Sequence, residues 1–142
     1  MNKTMIRGGL AVLAVFVTWM ILDAVLHGVI LTSIYAQGPN LWRPMAEFKM
    51  GLNGFVVLVS AACFVFIYAQ CIVEKSLKAA LIYGLVLGIA RGMSMGYGSY
   101  AVMPMPYLLA LGWFLGSLVE YTVAGGVMSL IVKPETGGRK KR

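Results

Sequence analysis

Long apolar runs separated by short polar breaks dominate the chain. Four runs, at about 8–34, 48–73, 79–102 and 107–132, reach the roughly 20 apolar residues that a helix needs to cross a bilayer. The breaks carry turn chemistry. Gly38-Pro39-Asn40 and Pro44 punctuate the 35–47 connection, and the 74–78 and 103–106 connections are very short. Short connections predict that the second and third runs, and the third and fourth, are antiparallel neighbours. The expected fold is therefore an all-α membrane protein, a four-transmembrane-helix up-down bundle over 1–132. A basic tail, 133–142, follows, and 134–142 reads as disordered. The 35–47 connection is the one segment outside the bilayer large enough for a lid or a partner surface.

Composition sharpens this picture. Hydrophobic residues make up 60% of the 142 and charged ones 12%, too apolar a balance for a soluble chain of this length to hide. The net charge of +7 sits mostly at run ends and in Arg139, Lys140, Lys141 and Arg142, as anchoring to anionic headgroups requires. No base-reading module or interleaved aromatic platform is present, so nucleic-acid binding is not expected. Lys3 and Arg7 ahead of an apolar run imitate a signal peptide. The run is too long, carries Asp23 and His27, and lacks a small-x-small cleavage site, so it is read as a retained span.

Orientation follows from basic residues near the run ends. With the N-terminus inside, nine lie inside (Lys3, Arg7, Lys75, Lys78, Lys133 and the four of the tail) and two outside, Arg43 and Lys49. Both ends are expected in the cytoplasm. Tyr35, Trp42, Tyr97, Tyr100 and Tyr107 then fall near the outer interface, and Tyr68 and Tyr83 towards the inner one.

Small residues recur at helical spacing. Gly84, Gly88, Gly92 and Gly96 form a ridge that lets another backbone approach, and Gly112, Gly116, Glu120 and Ala124 repeat the spacing in the fourth run. The two ridges are expected to face each other. A homo-oligomeric contact through one of them is the alternative.

Ionisable residues inside spans are expensive and usually face a protein interior. Asp23, His27, Arg91 and Glu120 are such residues. Arg91 lies about 12 residues, or roughly 18 Å, into its run, and Glu120 about 13 residues, or roughly 20 Å, into a run of opposite direction, which predicts an ion pair. Asp23 and His27 are four apart and share a helix face with Trp19. With Asn53 at a comparable level, a polar pocket opening outward is expected from Asp23, His27, Asn53 and Arg91. Tyr100 and the outer loop are placed to cover it. The same four ionisable residues, paired off, would instead simply fix helix order.

Other chemistry is poorly served. Cys63 and Cys71 are eight apart, which matches no metal or redox spacing, and read as small core residues. One histidine rules out bis-His haem within the chain. Catalytic-serine and phosphate-loop motifs are absent, so no enzymatic activity is expected. Met93, Met95, Met103 and Met105, with Met45 and Met50 nearby, offer soft thioethers suited to Cu(I). Residues two apart do not share a helix face, however, and methionine is a common apolar filler. No cofactor is indicated.

The stretch Tyr100-Ala-Val-Met-Pro-Met-Pro-Tyr107, then Trp113-Phe-Leu-Gly-Ser-Leu-Val-Glu120 and Ala124-Gly-Gly, resembles small four-span bacterial membrane proteins. The Leu22-Asp-Ala-Val-Leu-His-Gly28 segment and Leu41-Trp-Arg-Pro44 fit the same likeness. It implies a bacterial inner-membrane setting and carries no chemistry. The reading is a helical bundle serving as an accessory or assembly subunit of a membrane complex, or as a homo-oligomer. The alternative is a small transporter, channel or ligand- or ion-binding protein using the intramembrane cluster.

Overall fold

A computed structural model describes residues 3–38 and 41–133; Pro39 and Asn40 of the turn signal and the 134–142 tail lie outside the described residues. Four principal helices are present: α1 (Lys3–Val25), α2 (Met50–Cys71), α3 (Leu77–Gly92) and α4 (Tyr107–Ile131). A π-helical turn, Leu26–Ile30, extends α1, and another, Met93–Gly98, carries α3 on to Ser99–Val102. Four stretches, Met5–Ile30, Met50–Cys71, Leu77–Val102 and Tyr107–Ile131, are long and apolar enough to span a membrane.

Local chemistry sets the ends. Ser76 caps α3 by accepting from the Ala79 N–H at 3.1 Å. Pro106, which has no N–H to satisfy, stands before the first residue of α4. At the end of α2, the Lys75 ammonium donates to the carbonyls of Tyr68 (2.7 Å), Ala69 (3.0 Å) and Ile72. The Tyr68 carbonyl also accepts from the Ile72 N–H, and a cation at this helix end bonds the terminal carbonyls and meets the negative end of the helix dipole. Partial burial holds the Lys75 pKa below its ordinary value.

The closest backbone approach is between α3 and α4, and glycine makes it possible. A Cβ at Gly88 would stand 2.8 Å from the Ser117 carbonyl oxygen, at Gly92 2.8 Å from that of Phe114, and at Gly96 2.5 Å from that of Ala110. Gly84 abuts the Tyr121 carbonyl, and Gly125 of α4 answers by abutting that of Ala80. The expected meeting of the two ridges is corrected here. Gly112 and Gly116 turn to α1 instead, where the side chains of Leu31 and Leu26 fill the space their missing Cβ atoms leave. The α4 helix thus has two small-residue seams, one for each neighbour.

The α1 helix also packs on α2, but the short 72–76 connection does not make α2 and α3 close-packed neighbours. Large aromatic rings hold them apart and bridge them. Tyr83 stacks on Phe64 at 4.8 Å and Tyr68 at 5.5 Å, and its hydroxyl donates to the Phe64 carbonyl at 2.7 Å. Tyr68 and Tyr83 are buried core residues. The main core comprises Ala11, Val15 and Trp19 of α1 with Ala61, Phe64, Val65 and Tyr68 of α2, Ala80, Ala124 and Met128. A second core, Leu31, Met105, Leu109 and Ala110, closes the other end of the α1–α4 pair. The α2 helix takes no part in it, and residues 50–53 are all exposed.

Candidate functional site

The stripe Ala11, Val15, Trp19, Asp23 and His27 recurs every four residues and so shares one face of α1. Its first three members are buried; Asp23 and His27 begin where the core ends, with side chains 34% and 41% exposed. Asp23 Oδ1 lies 3.7 Å from His27 Nε2. His27 sits in the π-helical turn, which Thr32 steadies by donating from its hydroxyl to the Gly28 carbonyl at 2.7 Å.

Beyond His27 the polar contacts continue. Its Nδ1 is 2.6 Å from the Tyr35 hydroxyl, and the Trp113 indole N–H of α4 donates to that same hydroxyl at 2.7 Å. One donor assignment uses every group. An indole N–H only donates, so the Tyr35 oxygen is an acceptor there, and its own hydrogen is then available to His27 Nδ1. Neutral His27 then carries its proton on Nε2, facing the Asp23 carboxylate. Burial pushes the Tyr35 pKa up to about 12, against the Trp113 bond that pulls it down, with the Asp23 charge adding a smaller push upward. Tyr35 therefore keeps its proton at neutral pH. Should His27 gain a second proton, Nδ1 becomes a donor and the Tyr35 hydrogen must turn away. Asp23, His27, Tyr35 and Trp113 form one relay whose hydrogen directions depend on a single proton.

An aromatic cluster supports the relay. Trp42 packs edge-on against Tyr35 at 5.1 Å and Trp113 at 6.0 Å, and Trp113 meets the His27 ring at 6.3 Å. These rings pack against one another. The Trp42 indole nitrogen is buried without an acceptor.

Glu120 stands one turn below Gly116 on the α1-facing seam of α4. Its backbone carbonyl accepts from the Trp19 indole at 3.2 Å, and its Oε1 is buried with no hydrogen-bond partner. Asp23 and Arg91 are the charged groups whose fields reach it. The predicted Arg91–Glu120 ion pair is not formed; the close acid–base contact among the described residues is Asp23–His27, which is an ion pair only when His27 is protonated. Neither depth nor direction was matched: Gly92 meets Phe114 and Gly88 meets Ser117, which sets Arg91 more than a turn away from Glu120 along the seam. Arg91 precedes Gly92 and Glu120 precedes Tyr121, so each sits about 100° round from a residue of the α3–α4 seam. Arg91 is exposed.

Asn53 continues the line of Val57 and Ala61 on α2 one turn past the last packed layer, where it is exposed and joins none of these bonds. Cys63 and Cys71 are free and exposed, not core residues. Met105 is consumed by packing, Met103 lies against the same core, and Met93 is exposed, so the methionines converge on no common point. Among the described residues, no three His, Cys, Asp or Glu side chains gather as a metal site.

Tyr35, Trp42 and Trp113 were missed as site residues. One signal existed: Trp113, Gly116 and Glu120 follow 3–4 spacing and therefore share a face. No known protein family, curated protein or solved structure matches this chain.

Proposed function

We propose that the chain is a multi-pass protein of a bacterial inner membrane, an up-down bundle with both ends in the cytoplasm. It binds an ion or small polar ligand from the outer side, as a small transporter, channel or binding protein. Asp23, His27, Arg91 and Glu120 supply the charges. The observation that carries this reading is the Asp23–His27–Tyr35–Trp113 relay, placed where core packing ends and the charged side chains are open. A purely structural set of charges would be paired and covered; here Arg91 is exposed and Glu120 Oε1 has no partner.

The test is thermal unfolding of purified protein against a panel of cations, anions and small polar compounds at several pH values. Saturable stabilisation of the wild type, lost in a folded Asp23→Asn variant, supports the reading. Stabilisation that Asp23→Asn leaves intact would sink it.

A second reading, a non-enzymatic accessory subunit or homo-oligomer, is favoured by Asn53. A carboxamide exposed on a span is costly in lipid and is relieved by a neighbouring protein helix. Mass measurement in mild detergent separates the two, because a clean monomer argues against an oligomer or stable complex.

A further inference from the structure

The Tyr35 hydroxyl is crowded by donors. The Trp113 indole N–H is aimed at its oxygen at 2.7 Å, and His27 Nδ1 stands 2.6 Å away. Trp42 packs edge-on against the Tyr35 ring at 5.1 Å, its own indole nitrogen buried and without an acceptor. Among these neighbours, neutral His27 alone can accept the Tyr35 hydrogen. A second proton on the imidazole removes that acceptor, because both ring nitrogens then donate. The Tyr35 oxygen is left facing two N–H donors while its own hydrogen has no partner, which is unfavourable for a half-buried hydroxyl. Asp23 pulls the other way. Its Oδ1 is 3.7 Å from His27 Nε2, and a protonated ring makes that contact an ion pair. One proton thus strengthens the Asp23 side of His27 and weakens the Tyr35 side. The charged and titratable groups around the ring are few. Its own helix brings Asp23, and the extension brings Tyr35. The α4 helix brings Trp113 and, next to Asp23, Glu120, which the field of Arg91 on α3 also reaches. Arg43 and Glu47 of the 35–47 connection are exposed.

We propose that His27 is a proton-operated latch on Trp42. With the ring neutral, Tyr35 is bonded on both sides and keeps Trp42 against the second core. With the ring protonated, His27 turns to Asp23, Tyr35 is let go, and Trp42 comes away with it. Opening gives the orphaned Trp42 N–H access to water, which offsets part of the packing lost. The latch rests on the relay that carries the proposed function, but it needs no bound ligand. A protein that latches and binds nothing defeats that reading alone, and one that binds without latching defeats only the latch.

The test is acrylamide quenching of tryptophan emission between about pH 8 and about pH 5, with the protein in nanodiscs of zwitterionic lipid and no ligand added. Far-UV circular dichroism is recorded alongside. The expected result is a rise in quenching of about twofold as pH falls, following a single proton at constant helicity. His27→Gln, which does not titrate, should lose the rise, and Trp42→Phe should lose most of it. Asp23→Asn should move the midpoint to lower pH, because the charge that favours the protonated ring is gone. Should His27→Gln fail to fold, Trp42→Phe and the Asp23→Asn midpoint decide the matter. A flat wild-type profile, a rise that tracks loss of helix, a rise that persists in His27→Gln or undiminished in Trp42→Phe, or an unmoved midpoint in Asp23→Asn would each overturn the proposal.

Discussion

Replacing Gly88 by alanine tests the α3–α4 seam with a single methyl group. That methyl would lie 2.8 Å from the Ser117 carbonyl oxygen and 3.1 Å from both Leu118 Cα and Tyr121 Cβ. Comfortable contact is about 3.5–4.0 Å, so the helices must separate by roughly half an ångström or more. No rotamer change relieves the clash, because two of the obstacles are backbone atoms and the third is fixed to it. Overpacking of this kind costs about 1–3 kcal/mol. Alanine also gains about 0.5–1 kcal/mol over glycine in a helix interior, which opposes the loss. Gly54→Ala isolates this second effect, since nothing lies within 4 Å of a Cβ there. The difference between the two variants, about 1–3 kcal/mol against Gly88→Ala, is then the packing cost alone. Reversible unfolding in mixed micelles, followed by far-UV circular dichroism, measures it. If both variants unfold within about 0.5 kcal/mol of each other, a scale at which distant sites scatter, α3 and α4 do not pack through this ridge.

Other outcomes follow from named contacts. Tyr35→Phe leaves the Trp113 N–H and His27 Nδ1 without their shared partner and should cost about 1–3 kcal/mol, with a shift in tryptophan emission. Unchanged stability and emission would show that the relay is not formed. Lys75→Met removes the cation from three helix-terminal carbonyls and should cost about 1.5–3 kcal/mol in the same unfolding assay, whereas Lys78→Met, on an exposed residue, should change little. The raised Tyr35 pKa gives a signed pH effect. Unfolded tyrosine releases its proton near 10 and folded Tyr35 only at about 12, so its stabilisation is complete below pH 10 and lost as pH rises towards 12. Tyr35→Phe should therefore lose less stability than the wild type over that interval; equal losses would mean the hydroxyl is not buried.

Hydropathy alone determined that this chain has four helices able to cross a membrane, because a spanning helix satisfies its own backbone and needs only an apolar surface. Spacing alone put Gly84, Gly88, Gly92 and Gly96 on one ridge and Asp23 beside His27, since helical period is a local property. Partner choice was not local. Whether Gly112 and Gly116 meet α3 or α1 depends on which side of α4 each neighbour occupies, and the side chains of Leu26 and Leu31 decided it for α1. Arg91 and Glu120 missed each other in both depth and azimuth, because the register and rotation of α3 against α4 are set by the glycine seam and not by counting residues from the run ends. Tyr35 and Trp113 lie 78 residues apart, and no sequence pattern joins an extension of α1 to the first turns of α4. Only packing brought the indole to the hydroxyl and made a relay of what the sequence presents as a lone Asp-His pair.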